Sequence, residues 1–364
     1  MSPLIYRAKD WYGRYERPLS SASLIGGFVF DALVLKRVDL FWENFWIVVH
    51  LAVVAACIIL IHLQEHAEID AKNPHKLHFW YINILQFTFG GLLSVFIVFY
   101  FRSATLAVTW PFLLILFIAF VANESLKKHY LKLTFQISLF FLSLMSFAIF
   151  IIPVFFRRIG TDIFLFSELV SLGVLTFFLF TLKILTREKF KESKKLLAGA
   201  VFGILSLTNV LYFLKLIPPI PISLKDVGIY HSIYKNSDGN YTVRREETDW
   251  LDYFALKENF HVPAGGSAYA YSAIFSPTYF NFEIIHDWQK YNEDTAQWDT
   301  KGRIKLSAAG GRDGGYRTYS IKSGITTGEW RVNIETTAGQ TLGRLRFKAI
   351  AVSVKPETKE EIKK

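Results

Sequence analysis

Apolar positions are distributed in two different ways along the chain. Before Pro218, Pro219 and Pro221 they form long unbroken runs, and from Ile222 onward they alternate with polar positions. Six runs, at 45–63, 79–101, 104–122, 133–156, 163–182 and 196–217, approach the ~20 residues a helix needs to cross a bilayer core. A seventh, 19–35, is shorter and contains Asp31, so by length alone it is a span, a surface helix or a re-entrant segment. Beyond the prolines the period is two. In Glu329-Trp330-Arg331-Val332-Asn333-Ile334-Glu335 and in Arg344-Leu345-Arg346-Phe347-Lys348-Ala349 the apolar residues share one face, and Ala338-Gly339 lies between the two stretches, which predicts an antiparallel hairpin. Similar runs near 225–235, 267–276, 280–290, 302–308 and 316–322, with Ser237-Asp238-Gly239-Asn240 as a turn, predict a total of about seven or eight short strands, a sandwich pattern.

The predicted architecture is a helical multi-pass membrane domain of about seven spans followed by an all-β antiparallel sandwich domain. Residues 1–218 form the first, 219–354 the second, and 355–364 a charged tail. Composition agrees: 52% of the 364 residues are hydrophobic, 16% are aromatic and 34 are Phe, more than a soluble chain of this length carries.

Charge decides between six and seven spans. With seven spans and a cytoplasmic N-terminus, inner segments hold 15 Lys and Arg and outer segments 6; with six spans the same residues divide 10 to 11. Because cytoplasmic loops carry the excess of Lys and Arg, seven spans are favoured and the C-terminal domain is expected outside the cytoplasm. Of the net charge of +10, +8 lies in residues 1–218, where short loops between spans carry it, and without a basic recognition motif no nucleic acid partner is expected. The single cysteine, Cys57, excludes an intramolecular disulfide. The N-terminal stretch, aromatic and charged before its first apolar run, does not read as a cleaved signal peptide.

Candidate chemistry falls in three places. Within the spans, Asp31, His50, Asn83, Gln86, Glu168 and Asn209 should face the bundle interior, since polar groups facing lipid are costly. Asp31, His50 and Glu168 could form an ion or proton path; interhelical hydrogen bonding is the simpler account, and no transporter-type repeat accompanies them. Between the second and third runs, His62-x-x-Glu65-His66 has the inverted zincin spacing, with both imidazoles on one helical face and Glu124 as a third ligand. A loop rich in His and Glu produces that spacing readily, so no metal or other cofactor is expected.

The outer domain offers several groups. His286 and Asp287 are adjacent in a strand and point to opposite faces, which argues against a catalytic pair. The stretch Ala308-Ala309-Gly310-Gly311-Arg312-Asp313-Gly314-Gly315-Tyr316 lacks the Lys-Ser/Thr and following helix of a phosphate loop, so it reads as a strand connection with Arg312 and Asp313 at its tip. Tyr269, Tyr271, Trp288, Tyr291, Trp298, Tyr316, Tyr319 and Trp330 divide between core and a stacking surface for sugars. Arg331, Arg344, Arg346 and Lys348, with Arg303 and Lys305 nearby, form a polar face that could meet anionic headgroups or polymer, although a solvated outer face with some Glu pairing is the simpler account. The residues expected to touch a ligand are Arg312, Asp313, Tyr316, Trp288, Arg344 and Arg346.

Four stretches resemble a known family, domain of unknown function 2914: Ile284-Ile285-His286-Asp287-Trp288, the run Gly310 to Tyr319, Gly328-Glu329-Trp330-Arg331-Val332, and Gly339-Gln340-Thr341-Leu342-Gly343-Arg344. The helical half is similar to the multi-span region preceding this module, through Gly26-Gly27-Phe28-Val29-Phe30-Asp31, Phe89-Gly90-Gly91-Leu92-Leu93-Ser94, Ala122-Asn123-Glu124 and Pro218-Pro219-Ile220-Pro221. The resemblance implies a bacterial protein with an extracytoplasmic β domain, hence an inner (cytoplasmic) membrane location with that domain in the periplasm. It brings no activity or catalytic residue. The expected function is non-enzymatic: a membrane-tethered module whose partners are the lipid bilayer and an envelope glycan, lipid headgroup or membrane protein. The alternative is a membrane-embedded enzyme or transporter working through Asp31, His50 and Glu168.

Overall fold

In unbroken apolar runs the side chains offer the backbone no hydrogen-bond partners, so its N–H and C=O groups are satisfied within each segment, which selects helix. The structure, a computed structural model, describes residues 24–35, 37, 39–68, 75–103, 105–125, 130, 132–185, 187–247, 258–263, 265–276, 281–309 and 315–363. Seven helices occur among them. A short one, α1 (Leu24–Val34), is followed by α2 (Phe41–Glu68), α3 (His75–Arg102), α4 (Leu106–Ser125), α5 (Leu133–Phe156), α6 (Thr161–Leu185) and α7 (Arg187–Phe213). Six, α2 to α7, contain stretches long and apolar enough to cross a membrane. Large apolar side chains such as Phe87, Phe117, Leu169, Phe177 and Phe202 point outward from these helices. Arg157, at φ 55° and outside the helical region, closes α5 in the left-handed conformation common at helix C-termini.

The helical unit is tied inside by polar groups. His62 on α2 bonds through Nε2 to Gln136 Oε1 on α5 at 2.9 Å, and Gln136 Nε2 donates to the Tyr130 carbonyl at 2.5 Å. Tyr130 donates its hydroxyl to Asn123 on α4, and Asn123 Nδ2 donates to the Gln86 carbonyl on α3 at 3.2 Å. Gln86 Nε2 in turn donates to Glu124 Oε2 at 3.1 Å. Five side chains in this chain, His62, Gln86, Asn123, Tyr130 and Gln136, are buried, where a lost partner costs roughly 1–3 kcal/mol.

Where the period changes to two, strands follow. Eleven occur among the described residues: β1 (Ser223–Tyr230), β2 (Ser232–Lys235), β3 (Tyr241–Glu246), β4 (Glu258–Pro263), β5 (Ser267–Phe275), β6 (Asn281–Asn292), β7 (Gln297–Ala309), β8 (Tyr316–Ser323), β9 (Gly328–Thr336), β10 (Thr341–Val352) and β11 (Thr358–Lys363). They form a three-stranded sheet, β1-β5-β8, a five-stranded sheet, β4-β10-β9-β6-β7, and a second three-stranded sheet, β11-β3-β2. The expected hairpin is β9 and β10, and its turn holds Gly339 at φ 80°.

Three features differ from the sequence reading, the first being the number of strands, eleven among the described residues against the seven or eight expected. The sheets are not wholly antiparallel, because β4 lies parallel to β10. Parallel neighbours cannot be joined by a tight hairpin, and here β5 to β9 intervene along the chain between β4 and β10. The charged stretch read as a tail also forms a strand: β11 pairs with β3, with Glu360 opposite Arg244 and Glu361 opposite Val243.

The core lies between the first three-stranded sheet and the five-stranded sheet. Ile229, Ala268 and Ala270 from β1 and β5 meet Trp288, Trp330, Val332 and Phe347 from β6, β9 and β10. Small alanines opposite large rings let the two layers approach without leaving a void. Gly315 opens β8 at φ 84°, where an added Cβ would stand 2.9 Å from the Ile274 carbonyl carbon, so both backbone angle and space require glycine.

Candidate functional site

Alternation in β6, β9 and β10 sends Trp288, Trp330, Val332, Leu345 and Phe347 into the core and leaves Asp287, Gln289, Arg331, Asn333, Glu335, Arg344 and Arg346 on the opposite face. The register then brings these residues together. Arg331 stands opposite Arg346, Asn333 opposite Arg344, Gln289 opposite Arg331, and Asp287 opposite both Asn333 and Arg303. Four guanidinium groups therefore share one sheet face.

Hydrogen bonds hold the face in a fixed arrangement. Arg331 donates from Nε to Gln289 Oε1 at 2.6 Å and lies over the Trp298 ring at 4.3 Å, a cation–π contact. Gln289 Nε2 donates to Asp287 Oδ2 at 2.5 Å. Arg344 Nε donates to Asn333 Oδ1 at 2.7 Å, and Arg303 pairs with Glu335 at 3.5 Å. Asp287 is buried, and its Oδ1 has no hydrogen-bond partner among the described residues.

The positive charges outnumber the negative ones that compensate them. Burial, then the neighbouring charges of Arg344 and Arg346, brings the Arg331 guanidinium down to about 10, despite opposing help from Asp287 and Glu335. Burial, then Arg346, also lowers Arg344. Glu335 is raised, by burial first and then by Asp287. At neutral pH Arg331 and Arg344 stay charged, so the face retains crowded guanidinium donors whose repulsion an incoming anion would relieve. Guanidinium pairs bidentately with carboxylate and phosphate, which fixes the chemistry this surface can recognise.

The remaining expected residues are placed as follows. Arg312 and Asp313 lie outside the described residues. Tyr316 begins β8 opposite Ile274, half-buried, away from the arginine face. Trp288 is 0% exposed and cannot touch a ligand; its ring is core and its Nε1–H donates to Ser320 Oγ at 3.0 Å. His286 is equally buried, with Nε2 2.9 Å from Ser272 Oγ and Nδ1 2.8 Å from Ser320 Oγ, and burial pushes it down to about 4. No substrate can reach this Ser–His–Ser group, which cross-links the two layers.

In the helical unit, Asp31 and His50 line one cavity of about 350 Å³. Glu168 is not on its wall; both of its carboxylate oxygens accept from Asn209 Nδ2 at 2.9 Å. His62 uses Nε2 for Gln136 and Glu124 receives Gln86, so two of the groups expected at a metal are occupied with helix contacts. The side chains of Glu65 and His66 lie outside the described residues, among which no group of three or more His, Cys, Asp and Glu could hold a metal ion.

Sequence reasoning found the arginines and missed what organises them. Gln289, Asn333 and Trp298 hold Arg331 and Arg344, and Asp287 lies among them. The alternation around Trp288 already places Asp287 and Gln289 on the non-core face; the neighbouring order β10-β9-β6 was the absent information.

Residues 281–349 match the model of a family described as a protein of unknown function, DUF2914. The matched residues run from the start of β6 into β10, so Asp287, Arg303, Arg331, Arg344 and Arg346 all lie within the match. No curated protein matches the chain. Among solved structures, an immunoglobulin-like protein from Pseudomonas aeruginosa is similar at 9% identity, over 36% of this chain and 97% of its own, with a TM-score of 0.22. A β-glucosidase from Kluyveromyces marxianus is similar at 12% identity over 38% of this chain, which spans only 15% of the enzyme, with a TM-score of 0.18. TM-scores this low assign neither fold nor function.

Proposed function

We propose that the protein is a non-enzymatic, seven-span protein of a bacterial inner membrane whose β-sandwich, carried in the periplasm, binds an anionic envelope ligand. The observation that carries the reading is the arginine face within residues 281–349, where hydrogen bonds hold Arg331 and Arg344 and the strand register sets Arg346 opposite Arg331. The ligand presents phosphate or carboxylate, from a lipid headgroup, an envelope polymer or a membrane-protein partner. The full-length double variant Arg344→Ala/Arg346→Ala should bind anionic vesicles or polymer at least about tenfold more weakly in a pull-down, since hydrogen bonds to charged groups contribute roughly 1.5–3 kcal/mol each. Binding by the unaltered protein should also weaken as salt is raised. Equal binding by the double variant removes the idea.

The membrane assignment draws support from six long apolar helices with outward-facing Phe and Leu, and the orientation from the Lys and Arg bias of the loops. In a background where the buried Cys57 is replaced, Lys191→Cys should resist an impermeant thiol reagent in intact cells and react after permeabilisation, whereas Ser237→Cys should react at once. Labelling of position 191 in intact cells would invert the topology. The alternative, an enzyme or transporter acting through Asp31, His50 and Glu168 together, has weaker support, because Glu168 is engaged with Asn209 away from the cavity of the other two.

A further inference from the structure

The cavity of about 350 Å³ that Asp31 and His50 share is bounded by α1, α2 and α3 and is mostly apolar. Its volume falls in the range of small-molecule sites, roughly 300–1,000 Å³. Three ionisable side chains stand on its wall, Asp31, Glu43 and His50, together with Trp42 and Trp46.

Apart from the indole N–H groups of Trp42 and Trp46, the polar side-chain atoms of this wall accept. His50 Nδ1 lies 2.7 Å from the Trp46 carbonyl oxygen, which can only accept, so Nδ1 carries the hydrogen and Nε2 of the neutral ring is a lone-pair acceptor. Asp31 receives the Ser94 hydroxyl on Oδ2 at 2.5 Å, and a carboxylate has capacity for about three further hydrogen bonds. Glu43 adds a second carboxylate. Gly91 faces the ring: a Cβ there would lie 3.6 Å from His50 Cδ2 and Nε2, so the glycine leaves that edge of the imidazole open. Trp42 and Trp46 contribute indole rings, whose faces attract cations.

A bare metal ion does not suit so large and apolar a space, and an anionic guest would meet two carboxylates, with only the indole N–H groups of Trp42 and Trp46 to donate. We propose that this cavity binds a protonated primary amine carrying a small apolar or aromatic body, its ammonium directed at Asp31 and His50 and its body against Trp42 and Trp46. The inference concerns the helical unit alone and stands without the anion-binding reading of the β region.

The test uses full-length protein in nanodiscs of zwitterionic lipid, with 2-phenylethylammonium as probe and the near-isosteric neutral 2-phenylethanol and anionic phenylacetate as comparisons. Unaltered protein should bind the ammonium saturably and at least about tenfold more tightly than either comparison, a readout that needs no variant to fold. Asp31→Asn, which keeps the shape and removes the charge, should weaken the ammonium about tenfold and leave the alcohol unchanged. Gly91→Leu, which fills the space beside His50, should weaken both. Equal affinities for ammonium and alcohol, no saturable binding, or an Asp31→Asn variant that binds the ammonium as before would each overturn the proposal.

Discussion

Replacing Trp288 by alanine is expected to destabilise the β region by about 3–5 kcal/mol, the range for removing a large buried aromatic side chain. The residue is 0% exposed and lies edge-on to Phe347, with ring centroids 6.4 Å apart at 83°. Its Nε1–H donates to Ser320 Oγ, which also partners His286, so the substitution opens a void and removes a member of the buried polar group together. Trp288→Phe refills most of the volume and loses only the hydrogen bond, at about 1 kcal/mol. Trp298→Ala, at the half-buried ring under Arg331, should cost less than about 1 kcal/mol while loosening that arginine. Hydrogen exchange of β6 amides in the full-length, detergent-solubilised protein measures all three. A loss below about 1 kcal/mol for Trp288→Ala would contradict the placement of this ring at the centre of the core.

Much of this arrangement was legible because apolar periodicity reports burial directly. The runs that became α2 to α7 and the alternation that became β9 and β10 needed no tertiary information. Strand β11 was illegible for the opposite reason: Thr-Lys-Glu-Glu-Ile-Lys has hardly any apolar pattern, and its backbone ladder with β3 is accompanied by charge pairs instead. Arg244 holds Glu360 at 2.7 Å, Arg245 reaches Glu361 at 3.5 Å, and Lys363 reaches Asp226 on β1 at 3.1 Å. The arginine face was half legible. Alternation gives the face of each residue within its strand, but neighbouring strands come from register and order, so Arg331 opposite Arg346 was readable within one hairpin while Asp287 from β6 was not. Asp31 and His50 meet for the same kind of reason, through the packing of α1 and α2, which no local pattern encodes.

Acidification from pH 7 to pH 4 should remove about 3 kcal/mol of stability from the β region, chiefly through His286. Both ring nitrogens are satisfied by seryl hydroxyls, and a hydroxyl can donate or accept, so the neutral ring is well housed; what disfavours the charged ring is burial. Folded, the imidazole titrates at about 4, against 6.5 for the ordinary group. Between these values the unfolded chain binds a proton that the native chain refuses, so stability must fall as pH falls from about 6.5 and level off near 4. At about 1.4 kcal/mol per pH unit the interval amounts to about 3 kcal/mol. Two carboxylates add smaller effects of opposite sign. Burial works against the Glu246 charge, but hydrogen bonds from His231 and His261 outweigh it and hold the carboxyl below its usual value, so its stabilisation is lost only below pH 4.5. Glu335, raised by burial and then by Asp287, destabilises as pH rises through the carboxylate range and so returns stability on acidification. The decisive comparison is the slope of unfolding free energy between pH 6.5 and 4.5 for the unaltered protein and for His286→Gln, measured on full-length protein. The variant should begin less stable at pH 7 and lose most of the slope, since glutamine cannot take the proton that the buried imidazole excludes. Equal slopes would assign the acid sensitivity elsewhere, and a flat profile in the unaltered protein would mean that His286 is not buried as described.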